Sequence, residues 1–408
     1  MKPRALVLYH YFYPDDVVSA RHFDDFCRDL VQRGWEVEAR PCNRGCRDEE
    51  RKYPLRTQWQ GVAIRRVWRP GFRQASAAGR LLNAVWMIGA WVMLVCRGKR
   101  TLPDVVVIGT DPPLSVLVAL IVRRLRPRIG IAHWCYDLYP EAVIAEGILR
   151  PRAWSVRAVR AVLRRAYASC DLIADVGPCM RNLLVCHGGE ARRMTLVPWA
   201  LYEPSEPAPM DVEARRELFG DARVGLLYSG NFGRAHSCEE FLALARATRS
   251  SSVGFCFAAR GNREDELRNS VKTDDTNVRL VDFAEETALP RRLGAADIHM
   301  VSLRPNWTGI VVPSKFVAAL AVGRPVVFAG SRDSSIARWI REHGVGWVLD
   351  ADSALEVGRE LCDLSSSRDK LVELQRRCHR VYQEFFSRQG TMDTWDRELR
   401  GFLPQLGC

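Results

Sequence analysis

The stretch GIVVPSKFVAALAVGRPVVF, residues 309–328, reads as a loop opened by Gly309, a helix and a strand. Ser314 and Lys315 stand where the helix begins. Ser314 is of a type that caps helices, and Lys315 puts a positive charge where the helix dipole slightly disfavours one. An anion held there removes the penalty. Only six of the 60 Lys and Arg residues are lysines, so a compact ammonium at this point differs from the guanidinium used elsewhere. A second stretch, SGNFGRAH (229–236), follows a strand-like run. Gly230 and Gly233, with Asn231 between them, let backbone approach an anion, and Arg234 can clamp it. Arg260, in AARGN, stands after another strand. The plain alternatives are a capped surface helix with a solvated lysine, glycines that only turn the chain, and a solvent-facing arginine.

The elements that must position these residues alternate along the chain. Strand-like ALVLYHYF (5–12), WEVEARPC (35–42), GVAIRRVW (61–68), DVVVIGT (104–110), IGIAHWCYD (129–137), DLIADVG (171–177) and MTLVPW (194–199) are separated by helical segments. YEPSEPAPM (202–210), with three prolines, reads as a linker. A second series follows: VGLLYSG (224–230), VGFCFAARG (253–261), VRLVDF (278–283), DIHMVSL (297–303), PVVFAG (325–330) and VGWVLD (345–350). Strands alternating with helices of ten or more residues predict parallel sheets. The expected fold class is α/β, with two doubly wound Rossmann-like domains facing a cleft. The boundaries are 1–200 and 201–390, and 408 residues suit two such domains. In sheets of this kind, ligands bind beyond the carboxyl ends of the strands, where both anion-binding candidates fall.

The net charge of +12 resides in the N-terminal half, and residues 51–100 hold 11 basic groups and no acidic one. That segment contains the apolar run LLNAVWMIGAWVMLVC (81–96), followed by RGKR. The run is shorter than the roughly 20 residues that span a bilayer. It therefore reads as an interfacial helix on an anionic membrane surface, with Trp86 and Trp91 as headgroup-level anchors, or else as a core helix. The 13 cysteines form no CxxC pair and no metal-ligand spacing, which fits reduced thiols and no metal site. The N-terminal apolar run is too short for a secretory signal, so the expected location is cytoplasmic and peripheral, on the inner face of the membrane. Nucleic acid is not an expected partner, because the basic segment is joined to an apolar helix and not interleaved with a base-stacking motif.

Taken together, YHYFYPDDVVSARHFDDFCRDLVQRGWEVE, DVVVIGTDPPL, CYDLYPEAVIAEGIL, LVPWA, YSGNFGR, LGAADIHMVSL and GIVVPSKFVAALAVGRPVVF span nearly the whole chain. In this order and spacing they resemble the retaining GT-B glycosyltransferases of family 4, in particular the bacterial enzymes that build O-antigen, capsule and colanic-acid-like polysaccharides. The resemblance implies that the N-terminal domain receives the acceptor and the C-terminal domain holds a nucleotide-sugar. It also implies that the last helix, 391–406, crosses back to the first domain. Lys315, Arg234 and the donor-side residues Gly230, Asn231, Gly233, Arg260, Gly309 and Ser314 then surround a diphosphate. The implied donor is UDP-linked, carrying for example an N-acetylated amino sugar or a deoxy sugar. No metal and no prosthetic group is needed, and the implied acceptor is a saccharide on a polyprenyl diphosphate. In YDLYPE, Asp137 is the implied catalytic carboxylate, which orients an acceptor hydroxyl or takes its proton, with Tyr136 and Glu141 on the acceptor side. Asp137 has a plain alternative as a helix cap. Ala318 and Ile310 take the positions where many family members carry two glutamates, one of them on the ribose. The Pro-Ser-Lys subgroup often has a small residue at the second site, so Ala318 reads as a subgroup trait; a catalytically silent partner of another transferase is the alternative for which the missing glutamate is the best support.

Overall fold

The computed structural model describes residues 2–74, 76–97, 103–185, 192–283, 288–350 and 352–403. It divides into two units, Met1–Val197 with Thr391–Cys408, and Pro198–Gly390.

In the first unit, strands β1 (Arg4–Leu8), β2 (Glu36–Ala39), β3 (Arg56–Trp59), β4 (Val62–Arg65), β5 (Val105–Gly109), β6 (Gly130–Trp134), β7 (Leu172–Asp175) and β8 (Arg192–Thr195) form one sheet. Their order is β3-β4-β2-β1-β5-β6-β7-β8. Every pairing is parallel except β3 with β4. The central strands are buried along their whole length, as parallel strands covered on both faces must be. Edge strand β3, RTQW, is mostly exposed and too polar to announce itself in the sequence. It exists because Gln60 and Gly61, both at positive φ (45° and 84°), close a tight hairpin onto β4. The strand order reverses between β1 and β5, which makes their carboxyl ends the switch point of this sheet.

The C-terminal helix, Arg388–Arg400, enters the first unit at Thr391. Trp395 is fully buried there, with its ring centroid 5.3 Å from Phe26 and 5.2 Å from Trp134. Asp393 accepts from Arg33 at 2.6 Å, and Asp396 accepts from the Trp35 indole at 2.6 Å. Residues 404–406 of the expected crossing helix lie outside the described residues.

The second unit has strands β9 (Val224–Asn231), β10 (Val253–Arg260), β11 (Val278–Leu280), β12 (Ile298–Leu303), β13 (Val326–Gly330) and β14 (Gly346–Leu349). They are all parallel, in the order β11-β10-β9-β12-β13-β14, with the reversal between β9 and β12. The proline-rich stretch 202–210 is irregular but is packed on this unit. The Ala208 N–H donates to Val322 at 3.1 Å, and its carbonyl accepts from the buried Arg324 guanidinium at 2.7 Å.

Candidate active site

In the second unit the candidate residues gather at the carboxyl edge of β9 and β12. Lys315, the first residue of the helix Lys315–Ala321, is half-buried. Its Nζ donates to the Asn231 carbonyl at 3.0 Å and lies 5.1 Å from the Tyr228 ring centroid. The same carbonyl accepts from the Tyr228 hydroxyl at 2.9 Å. Among the described residues Lys315 forms no ion pair, and burial lowers its pKa from 10.5 to about 8. It is therefore not the solvated surface lysine of the plain alternative. Gly230 has a φ of +135°, and a Cβ there would lie 2.6 Å from Lys315 Cε. The glycine thus serves two needs, a backbone conformation closed to other residues and room for the lysine.

His236, which sequence reasoning passed over, stands beside this lysine. Its Nδ1 donates to the Ser302 carbonyl at 2.8 Å. Burial, followed by the charge of Lys315, lowers its pKa to about 3, so it is a neutral imidazole. Two hydroxyls at this edge, Ser229 Oγ and Thr308 Oγ1, are buried without a hydrogen-bond partner among the described residues. Unpaired buried hydroxyls are costly, and an incoming oxygen-rich ligand can satisfy them. Gly233 and Arg234 lie in the turn after β9, with Arg234 exposed. Arg260, at the end of β10, is drawn aside: its guanidinium stands 4.0 Å from the Phe283 ring centroid. Gly309 adopts φ +81°.

One local expectation needs correction. Ser314 occupies the N-cap position in an αR conformation, but its side chain makes no capping hydrogen bond. It is left exposed. Ile310, at 5% exposure, is buried, and Ala318 is half-buried in the helix.

In the first unit the candidate acceptor-side residues follow β6. Thr110, one residue past β5, clips the two strand ends together. Its hydroxyl donates to the Trp134 carbonyl at 3.1 Å and accepts from the Tyr136 N–H at 2.7 Å. Asp137 follows, half-buried, with its pKa raised to about 6 by burial and then by the Asp111 charge. It caps no helix: the next helix, Glu141–Ala145, has Pro140 at its N-cap. Glu141 is engaged in an ion pair with Arg160 at 3.0 Å. The Tyr136 ring packs 4.9 Å from Trp134, and its hydroxyl is buried without a hydrogen-bond partner among the described residues. Among the described residues no group of three or more His, Cys, Asp or Glu side chains is arranged to hold a metal ion.

The basic apolar segment forms a helix, Ala77–Arg97, longer than the run read from the sequence; by length and composition its residues Ala77–Cys96 are enough to cross a membrane. One face is packed: Asn83, Ala84, Met87, Trp91 and Val95 are buried. Trp91 is therefore a core residue and not a headgroup anchor, its indole donating to the Arg40 carbonyl at 2.9 Å. The opposite face exposes Leu81, Leu82, Val85, Trp86 and Met93. Trp86 donates to the Trp68 carbonyl at 2.6 Å and meets the equally exposed Trp68 ring edge-on at 5.4 Å.

Residues 19–200 match the family model of a glycosyl transferase 4-like domain. The chain has the GT-B fold, and in sequence it is similar to bacterial family 4 glycosyltransferases. This transferase is 25% identical over 287 residues, 68% of its chain and 70% of the relative, to WbjE of Pseudomonas aeruginosa, named as a probable glycosyltransferase. It is 26% identical over 269 residues, 63% of its chain and 65% of the relative, to WcaI of Escherichia coli (strain K12), named for colanic acid biosynthesis glycosyl transfer. Among solved structures it resembles sucrose-phosphate synthase of Thermosynechococcus elongatus, at TM-score 0.72 and 13% identity over 98% of this chain and 99% of the other. It also resembles Anabaena HepE in complex with UDP and glucose, at TM-score 0.66 and 13% identity over 98% and 100%. These two likenesses concern the fold. The domain match and the names of the relatives support a glycosyltransferase.

Proposed function

We propose that this transferase moves a sugar from a UDP-linked donor to a saccharide carried on a polyprenyl diphosphate, with retention at the anomeric carbon. The observation that carries the reading is Lys315: a half-buried ammonium without an ion pair among the described residues, beside a glycine that makes room for it. A nucleotide diphosphate supplies the missing negative charge. As the bond from the sugar's anomeric carbon to the β-phosphate oxygen breaks, its electron pair moves onto the phosphate. A preorganised cation there stabilises the transition state more than the ground state. Gly233 and Arg234 line the turn after β9, next to Asn231, and Gly309 and Ser314 stand just before Lys315 in sequence. The acceptor hydroxyl oxygen forms the new bond to that carbon, and Asp137 orients the hydroxyl and accepts its proton.

UDP is preferred as the nucleotide because the HepE structures similar in fold were obtained with UDP and with UDP-glucose. The exposed apolar stripe of the helix Ala77–Arg97, next to the exposed Arg73 and Arg80, supports an anionic membrane surface as partner and a peripheral, cytoplasmic-face location. Calorimetric titration with UDP and GDP, with and without chelator, and repeated on Lys315→Ala, tests the donor reading. Chelator-insensitive UDP binding that weakens in the variant is expected. If neither nucleotide binds, the silent-partner reading suggested by Ala318 and Ile310 takes its place.

A further inference from the structure

The acceptor side holds a second carboxylate with a partner that the sequence did not reveal. Strands β1, β5 and β6 are neighbours, and register pairs Leu8 with Ile108 and Gly109 with Trp134. His10, Asp111 and Asp137 each stand two or three residues past the end of one of these strands. His10 and Asp111 therefore flank the point where the strand order reverses, the usual place for a ligand in such a sheet. The Thr110 hydroxyl bridges the loops at the residues just before Asp111 and Asp137, so the two acids leave clipped backbones side by side.

His10 is 2% exposed. Its Nδ1 lies 3.2 Å from Asp111 Oδ1, its backbone N–H donates to the Asp111 carbonyl at 3.0 Å, and its ring stacks on Tyr11 at 4.2 Å. Nε2 is buried and makes no hydrogen bond among the described residues. The neighbouring Cys42 thiol donates instead to the Arg44 carbonyl at 3.1 Å. Burial by itself lowers an imidazole pKa; here Asp111, with a further contribution from Cys42, outweighs burial and raises it to about 9. The other charged and titratable groups around the pair are Tyr9, Tyr11, Cys46, Asp137, Tyr139 and Arg69.

The Asp111 side chain is about one-third exposed, at 34%, and Oδ2 has no hydrogen bond among the described residues. One oxygen is thus committed to a buried histidine while the other faces outward. A cation is a poor occupant, because the imidazolium already sits on this carboxylate. A neutral hydroxyl donor suits it, as does any oxygen that relieves the unpaired Nε2.

We propose that Asp111, held in place by His10, is a second acceptor-binding carboxylate that receives a hydrogen bond from a saccharide hydroxyl vicinal to the one served by Asp137. Asp111 touches the acceptor and His10 is a positioning residue. The ligand class is a pyranoside with a free vicinal diol. The assignment of this site to the acceptor rests on the transferase reading above.

The test uses the full chain with labelled histidine and four probes: the methyl glycosides of glucose, galactose, mannose and N-acetylglucosamine. Binding is followed by the His10 ring resonance, and UDP is titrated separately by calorimetry. At least one glycoside is expected to shift the His10 signal. Asp111→Asn should weaken that binding at least tenfold and bring the His10 titration from about 9 to below neutrality, with UDP affinity unchanged. His10→Asn, which keeps a donor near the position of Nδ1, should retain more glycoside affinity than His10→Ala; this comparison decides the matter should Asp111→Asn fail to fold. No glycoside response in the native protein, or equal affinity in Asp111→Asn, or equal affinity in both His10 variants, overturns the proposal. Absence of UDP binding in the native protein defeats the donor reading alone, since the glycoside result stands apart from it.

Discussion

The Nζ of Lys315 reaches the carbonyl of Asn231 at 3.0 Å, joining the start of a helix to the end of β9 across 84 residues of sequence. The contact replaces a carboxylate partner with a neutral oxygen. A half-buried ammonium so held is available to an anion, since exchanging one carbonyl for a phosphate costs the protein little.

Lys315→Ala should therefore lower kcat/KM by about 100-fold or more, the scale found for removing a single preorganised transition-state donor. Thermal stability should hardly change. Steady-state kinetics set beside a melting curve check both. A loss of stability that accounts for the lost activity would return the lysine to a structural role.

Gly230→Ala should lose stability by about 1–3 kcal/mol, because alanine is strained at a φ of +135° and its Cβ meets Lys315 Cε at 2.6 Å. Combining it with Lys315→Ala removes the collision but not the backbone strain. The double variant should therefore be more stable than the sum of the single effects predicts, which a denaturant double-mutant cycle will show.

UDP affinity should fall as pH rises through about 8. The sign follows from the lysine: its free-state pKa is lowered to about 8, so the ammonium that attracts the diphosphate is present below that value and lost above it. Binding at higher pH must take up a proton, an uptake measurable by calorimetry in buffers of different ionisation enthalpy. A flat affinity profile from pH 7 to 9.5, an interval chosen about the value of 8, would remove Lys315 from the donor site.

Asp137 should lose function as pH falls through about 6, where its carboxylate becomes protonated. The same raised pKa means that the folded protein binds this proton more tightly than the unfolded chain does, so the group's contribution to stability declines as pH rises from the ordinary carboxylate range to about 6. Asp137→Asn should thus reduce turnover by roughly 10² to 10⁴ while leaving the melting temperature at neutral pH equal or higher. Retained turnover with a lower melting temperature would defeat the catalytic reading.

The two tryptophans of the helix Ala77–Arg97 should part company. Trp91→Ala should cost about 3–5 kcal/mol, as large buried aromatics do, without a specific effect on vesicle flotation of the folded fraction. Val85→Glu combined with Trp86→Ala alters only the exposed stripe. It should leave stability nearly unchanged and abolish flotation with anionic vesicles. Flotation that persists in this variant would sever the helix from the membrane.

Both sheets could be read in the sequence because their strands are short apolar runs spaced by helices, and period and composition are local properties. β3 could not: RTQW is a strand only because a tight turn at Gln60 and Gly61 returns the chain to β4. The candidate anion site was legible for a related reason. Glycines after a strand and a lysine at a helix start are local signs, and their spacing along the chain identifies the loops that meet at a sheet edge.

What the sequence by itself determined is the α/β architecture, the resemblance to a family, and the loops that bear Gly230, Lys315 and Asp137. Tertiary structure alone decided which of those side chains are buried and what they face. Trp86 and Trp91 are five positions apart in one apolar run, yet one is exposed at 44% and the other is at 0%, because burial depends on which face of a helix meets the rest of the unit. His10 and Asp111 are separated by 101 positions and become partners only because β1 and β5 lie side by side. Charge interactions and desolvation act through space, and distance in space is the quantity that a linear chain does not carry.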